Sequence, residues 1–345
     1  MNQKDEWKDM KKKNPIIKAL LLLPALAALL CGCSAGKTQA FTKTDFFFDT
    51  VVTLTVYEKP SNKDKAEAIL TDAMEKCRYY DTLFDPNNPD GDLYKINHAE
   101  GQEVAVSEET ATLLYAALEF CKSTGGAIDI TIEPAFELWN FTGENDSVPP
   151  EDRMNKALSH VDYGTVRLNG SRVTLLDPEA AITLGFIAKG YIADKLKESM
   201  IEAGAKDAII NLGGNVQTIG DKNGEGGYSV GIQKPFAATG EYIKTVTACE
   251  GKTHKSAVVT SGTYERMFKM NDRIYHHILD TQTGMPADTD LTSVTILADS
   301  AMEADAISTS CLILGSEQAK AYIEGITDID AVFVKEDGEV IEIMH

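Results

Sequence analysis

The chain has 345 residues, 43% of them hydrophobic and 25% charged, a composition that excludes intrinsic disorder and leaves room for one large domain or two small ones. Its formal net charge of −20 gives the basic footprint of a nucleic-acid binder little to draw on, so no nucleic acid is expected as a partner. The longest apolar run, 19–30, is 12 residues broken by Pro24, short of the roughly 20 that a spanning helix needs, which excludes a polytopic membrane protein.

In chain order, residues 1–32 read as a leader. Lys11, Lys12, Lys13 and Lys18 lie before and at the edge of the apolar run, and Cys31-Gly32-Cys33 follows as a small-residue cleavage site. Leu30-Cys31-Gly32-Cys33 resembles a bacterial lipobox, with Cys33 as the lipid-modified residue; a plain N-terminal anchor or a secreted protein is the alternative. Cleavage before Cys33 removes six lysines and three acidic residues and leaves a net charge of −23. The expectation is a lipoprotein held by its lipid anchor on the outer face of a bacterial cytoplasmic membrane. The polar residues 33–44 read as a tether and 45–345 as the folded domain.

Val52, Leu54 and Val56 alternate with threonines, predicting a half-buried strand over 50–57. Ala66, Ile69, Leu70, Ala73 and Cys77 then recur at helical spacing. Ser107 opens a second helix that Gly125-Gly126 ends. Asn169-Gly170 and Asp337-Gly338, each between alternating apolar residues, are hairpin signals. A helix over 187–203 ends at Gly204 and leads into the apolar run 208–212. Ser300-Ala301-Met302-Glu303 has the form of a capping box and starts a helix that reaches Leu314 and stops at Gly315. Hairpins mixed with helices, without regular βα alternation, predict an α+β domain with a largely antiparallel sheet. Cys77, Cys121, Cys249 and Cys311 show no CxxC or Cys/His spacing, which argues against zinc and for buried free thiols.

Four clusters could carry chemistry. Asp305 and Thr309, four apart, share one helix face, and two hard oxygens at that spacing suit Mg²⁺; an exposed Asp and a Thr bonded to its own helix backbone would look the same. His276 and His277 on one strand must point to opposite faces, and a histidine suits general-base work. In Leu184-Gly185-Phe186-Ile187-Ala188-Lys189-Gly190-Tyr191, glycines at a helix start and Lys189 favour an anion such as phosphate. Asn211-Leu212-Gly213-Gly214-Asn215 reads as a turn, and Thr260-Ser261-Gly262 as a loop, because no GxSxG context surrounds its serine.

Together these clusters resemble one family. Ala127-Ile128-Asp129-Ile130-Thr131 with Pro134 and Leu138-Trp139-Asn140-Phe141, the run 184–191, Ile210-Asn211-Leu212-Gly213-Gly214-Asn215, Thr260-Ser261-Gly262 with Tyr264-Glu265-Arg266, the run 276–284, and Ala304-Asp305-Ala306 with Ser308-Thr309 follow, in this order, the pattern of the ApbE family of FAD:protein FMN transferases. The resemblance extends from about residue 45 onward. It implies Mg²⁺-dependent transfer of FMN from FAD to a Thr or Ser hydroxyl of an acceptor protein, with release of AMP. Carried over by position, the metal ligands are the side chains of Asp305 and Thr309 and the carbonyl of Phe186, with Ser308 adjacent. Flavin-nucleotide contacts fall on Phe48, Asn87, Ala127, Ile128, Asp129, Thr183, Lys189, Ile278 and Leu279, and the catalytic base is His277. The implied partners are exported or membrane flavoproteins carrying D-x-x-(S/T)-G-A-(S/T), a stretch this chain lacks. Three positions depart from the family: Thr183 stands where Asp is frequent, Phe186 where Gly or Ala is usual, and Asn87 where an aromatic is frequent. An FAD pyrophosphatase giving FMN and AMP, and a lipid-anchored flavin-binding protein without turnover, are the competing expectations.

Overall fold

The computed structural model describes residues 38–139, 141, 147–249, 251 and 255–345. The leader, the lipobox with Cys33, and Asn140 lie outside the described residues. A hairpin of β1 (Gln39–Phe47) and β2 (Thr50–Glu58) precedes α1 (Lys63–Phe84), α2 (Asp92–Asn97), β3 (Val104–Ala105) and α3 (Glu108–Ser123). Then come α4 (Glu133–Phe136), α5 (Glu151–Leu158), β4 (Val166–Asn169), β5 (Arg172–Leu175), α6 (Ala188–Glu202), β6 (Ala208–Leu212) and β7 (Asn215–Ile219). They are followed by β8 (Tyr228–Gln233), β9 (Tyr242–Ala248), β10 (Ala257–Gly262), β11 (Met267–Met270), β12 (Arg273–His276), β13 (Leu291–Ala298), α7 (Ala301–Glu324), β14 (Asp330–Lys335) and β15 (Val340–Ile343).

Eight strands form one sheet in the order β1-β2-β6-β7-β10-β13-β14-β15, with every neighbour antiparallel. Helices α1, α6 and α7 pack against it. Their apolar stripes meet the sheet in the main core, where Leu54, Leu70, Ile192, Leu196 and Phe333 are fully buried. Burying such side chains stabilises the fold by about 1.5–3 kcal/mol each. Strand alternation splits β10 between two cores: Val259 joins the main core, while Val258 joins Leu297, Val332 and residues of the β8–β9 hairpin. A separate cluster of Ala135, Trp139, Met154, Ala157, Phe268, Tyr275 and Leu279 supports the β11–β12 ribbon.

The expected caps and turns form. Ser107 accepts from the Thr110 N–H, Ser300 accepts from the Glu303 N–H, and hairpins turn at Asn169-Gly170 and between β14 and β15. Three expectations need correction. The tether is shorter than read: residues from Gln39 form an edge strand, whose Thr42 and Thr44 hydroxyls bond those of Thr55 and Thr53 across the hairpin. Polar residues on the solvent side of an edge strand look like a linker in the sequence. The last helix does break at Gly315 (φ 73°), but helix resumes to Glu324, because Asp290 accepts from both the N–H and the hydroxyl of Ser316 and caps a new start. Thr260-Ser261-Gly262 is not a loop but the end of β10, where two preceding valines and the pairing with β13 extend the chain.

Candidate active site

The site is organised where the N-terminal ends of α6 and α7 meet. A side chain at position 190 would put Cβ 2.2 Å from the Ala301 carbonyl oxygen, so only glycine permits this approach. Asp194, one turn further along α6, caps α7 by accepting from the N–H groups of Ala301 (2.9 Å) and Met302 (3.0 Å) and from the Ser300 hydroxyl (2.8 Å). The Gly190 N–H donates to Asp305 Oδ2 at 2.9 Å. Gly190 lies in the first turn of α6, where an N–H has no acceptor within the helix, so Asp305 satisfies it; the Phe186 carbonyl, ahead of the N-cap Ile187, stands outside the helical ladder. The Phe186 ring packs edge-on against Phe120, and its bulk joins the main core.

Asp305 is 2% exposed, not the solvated carboxylate that its sequence alone allowed. Burial pushes its pKa above the ordinary carboxylate range, against Lys189, the Gly190 amide and Asn215. Lys189 Nζ lies 3.9 Å from Asp305 Oδ1. The buried Asn215 amide faces this carboxylate, yet its Nδ2 makes no hydrogen bond of good geometry. Thr309 reaches across to β10: its hydroxyl lies 2.9 Å from Ser261 Oγ, which also lies 2.8 Å from Ser308 Oγ. Ser308 in turn donates to the Asp305 carbonyl. Ser261 thus belongs to the site, not as a nucleophile but as the strand residue that orients two hydroxyls of α7.

Beyond β10 the chain brings Glu265 and Arg266 to the same place. Glu265 is open to solvent although protein surrounds it, as on the floor of a cleft, and this confinement with Asp305 nearby raises its pKa to about 7 against Lys189 and Arg266. The sequence carried Glu265 within a motif but gave it no role; its position beside Tyr264-Arg266 was the available signal. His277 stands one residue beyond β12 rather than on it. Burial, Arg266, Lys189 and His276 lower its pKa to about 3, so the ring is neutral near pH 7. Its Nδ1 is 3.3 Å from the Arg266 carbonyl. An Nδ1–H donated there leaves Nε2 as the free acceptor. His276, by contrast, is 7% exposed and faces the Ala287 and Ile278 carbonyls.

The remaining expected contacts form a wall. Thr281 Oγ1 donates to the Gly126 carbonyl at 2.7 Å, tying Ala127, Ile128 and Asp129 to the segment of Ile278 and Leu279. The Thr183 N–H donates to the Ile130 carbonyl at 2.8 Å. Asp129 spends its carboxylate on the fold, accepting from the Thr131 N–H and hydroxyl and from the Tyr163 N–H. Thr183 meets Glu133, which is 5% exposed and raised by burial to about 7. Phe48 sits in the β1–β2 turn at φ 54°, a strained value for a bulky residue, with its N–H held by Asp81. Beside it, Asp49 lies 3.7 Å from Arg266. Asn87 is exposed in the turn after α1, and among the described residues no contact joins it to the others.

Among the described residues no three His, Cys, Asp or Glu side chains gather into a cage for a metal. The donor set is instead one buried carboxylate, a hydroxyl and a carbonyl just ahead of a helix, with the Asn215 amide, which makes no hydrogen bond of good geometry, facing the carboxylate. That set fits Mg²⁺, which takes one or two carboxylates and completes its octahedron with water and phosphate oxygens.

Sheet, helical layer and cleft define the class: a single α+β domain in which Lys189, Glu265, Arg266, His277 and Asp305 converge on one cleft. The chain belongs to the ApbE family, which matches residues 48–333. It is 30% identical over 335 residues to the FAD:protein FMN transferase of Treponema pallidum, covering 91% of each chain. It is 33% identical over 278 residues to that of Klebsiella pneumoniae, covering 80% of this chain and 84% of the other. The crystal structure of the ApbE protein of Thermotoga maritima superposes with a TM-score of 0.79 at 32% identity, over 88% of this chain and 97% of that one. The flavin transferase ApbE of Vibrio cholerae shares the fold, with a TM-score of 0.76 at 23% identity over 89% and 97%.

Proposed function

We propose that this chain is an FAD:protein FMN transferase. The observation that carries the reading is the meeting of Asp305 and Lys189 with a neutral His277, in a chain whose relatives bear that name. Mg²⁺ held by Asp305, Thr309 and the Phe186 carbonyl would supply charge neutralisation at the pyrophosphate. Lys189 adds a fixed cation on the same side, and phosphoryl transfer depends mainly on such neutralisation and alignment. Ser308 and Ser261 hold the Thr309 hydroxyl in place. Ala127, Ile128, Thr183, Ile278 and Leu279 line the wall against the flavin nucleotide.

His277 takes the proton of the acceptor Thr or Ser at Nε2, its Nδ1–H being held by the Arg266 carbonyl. The new P–O ester bond forms to the acceptor oxygen, and the anhydride bond to AMP breaks. Burial is the largest cause of the low His277 pKa; the smaller part that Arg266 and Lys189 contribute is offset by the pyrophosphate on binding, so the ring becomes a stronger base as substrate arrives.

Incubation with FAD, Mg²⁺ and an acceptor domain carrying D-x-x-(S/T)-G-A-(S/T) tests this. Transfer is read as denaturation-resistant flavin fluorescence on the acceptor with an equal amount of AMP. Free FMN and AMP without labelled acceptor would make the chain a pyrophosphatase, and intact FAD would make it a binding protein.

The reading places the domain on the outer face of the cytoplasmic membrane through lipid on Cys33. Two or more acyl chains give stable anchoring where one is marginal. Cys33→Ala should abolish lipid labelling and block lipoprotein processing, leaving the leader on the chain, with transfer intact; a fully lipidated mutant would refute the lipobox.

A further inference from the structure

A second feature lies behind the histidine pair. The outer edge of the segment 278–280 is paired: the Leu279–Pro286 bridge, the Ala287 N–H on the Ile278 carbonyl and the Asp280 N–H on the Met285 carbonyl zip it to 285–287. Toward β12 the two segments part. Between them opens a cavity of about 470 Å³ lined by Arg273, Ile274, His276, Asp288 and Thr289, with Phe236 at its side.

The register of the ribbon fixes which main-chain groups face it. The His277 N–H bonds the Arg266 carbonyl, and Phe268 and Met270 face Tyr275 and Arg273. In an antiparallel pair hydrogen-bonded and non-bonded positions alternate. Ile274 and His276 are therefore the non-bonded positions, and their N–H and C=O groups point away from β11. Their partners in the continued zipper would be the residues that have splayed away.

We infer that this slot receives an extended segment of the acceptor protein, which adds as a strand to the outer edge of β12. The inference rests on the transferase reading and names how its protein substrate is held. Unpaired edge groups beside an open slot suit a polypeptide backbone rather than a small ligand. His276 lines the slot and His277, the next residue, faces the catalytic cleft; Thr263 lines the slot and Glu265 the cleft. A peptide bound along β12 therefore runs within one or two residues of the base. Asp272, Asp288 and Glu336 outnumber Arg273 around the opening, which selects against acidic runs in that segment.

Ile274→Pro removes only an outward N–H, since position 274 makes no bond to β11. It should raise the KM for acceptor about fivefold, the worth of one hydrogen bond of about 1 kcal/mol, with FAD affinity unchanged. Asp288→Trp, which fills the slot, should raise it further; it provides the readout if Ile274→Pro fails to bind FAD normally. In the wild type, acceptor should slow hydrogen exchange at the Ile274 and His276 amides. Unchanged acceptor kinetics in Asp288→Trp and no protection of those amides would overturn the slot while leaving the transferase reading intact. Protection without any flavin transfer would overturn the transferase reading and keep the slot. A change in oligomeric state in Ile274→Pro, with acceptor kinetics unchanged, would make the edge a self-association surface and overturn the inference.

Discussion

The α6–α7 junction and the β11–β12 ribbon contribute opposite halves of the cleft and are built differently. At the junction, Ile187, Ile192, Ala301, Ala304 and Ala306 belong to the main core, and Asp305 is fixed by a backbone amide from another helix. The ribbon rests on the smaller cluster around Trp139, Phe268 and Tyr275, where, among the described residues, Trp139 Nε1–H donates to the Gly284 carbonyl at 2.8 Å. In the proposed mechanism, anion and metal binding fall to the junction and proton transfer to the separately supported side. The two functions should separate under mutation.

The sharpest test of that separation is His277→Ala. It should lower transfer by roughly 10²- to 10⁴-fold, the usual worth of a positioned base, while FAD titration gives an unchanged affinity. Loss of FAD binding in this variant would merge the two halves. Asp305→Asn should cost transfer at least the roughly 10- to 100-fold that losing even an outer-shell partner of a metal ligand costs and, unlike His277→Ala, shift the Mg²⁺ dependence to higher concentration. Thr309→Val should do the same more weakly, because a neutral hydroxyl contributes less to a dication than a carboxylate.

A subtler test uses pH. Glu265 is neutral below about 7 and anionic above it, so without Mg²⁺ the FAD affinity should fall a few-fold as pH rises through 7, and Glu265→Gln should flatten that profile. His277 is neutral in the free enzyme across this range, and Glu133, raised to about 7 beside Thr183, is the other group that titrates there, so a profile unchanged in Glu265→Gln and flattened instead in Glu133→Gln would contradict the assignment. The smallest effect is expected from Trp139→Phe. Losing one buried hydrogen bond costs about 1 kcal/mol and the smaller ring adds a cavity cost, so Tm should fall by at least about 2 °C with transfer little changed, and faster hydrogen exchange should be confined to the ribbon.

Local chemistry made much of this legible from residues alone. Ser107 and Ser300 cap the helices that they were expected to cap, and the helix beginning near Ile187 ends at Gly204. The motif residues of α6, α7 and the His277 segment do converge. What stayed hidden depends on partners far along the chain. Strand β1 is defined by pairing with β2, not by its own alternation. Helix after Gly315 depends on Asp290, 26 positions away from Ser316. The burial of Asp305 requires Gly190, 115 positions away, and Ser261 acquires its place only when β10 lies against α7. The β1–β2 turn uses Phe48 and Asp49, both at positive φ, where Asn-Gly would have been the sequence signal.

The buried thiols have a use of their own. Cys77 on α1, Cys121 on α3 and Cys311 on α7 are fully buried and free, and burial pushes each thiol up to about 12. At pH 8 only about one in 10⁴ of such thiols is ionised, so oxidants find almost no nucleophile at these three positions of the folded domain. Each sulfur becomes reactive only when its own helix opens. The rate at which an alkylating reagent captures each one therefore clocks the opening of that helix, turning three inert residues into stopwatches distributed through the helical layer.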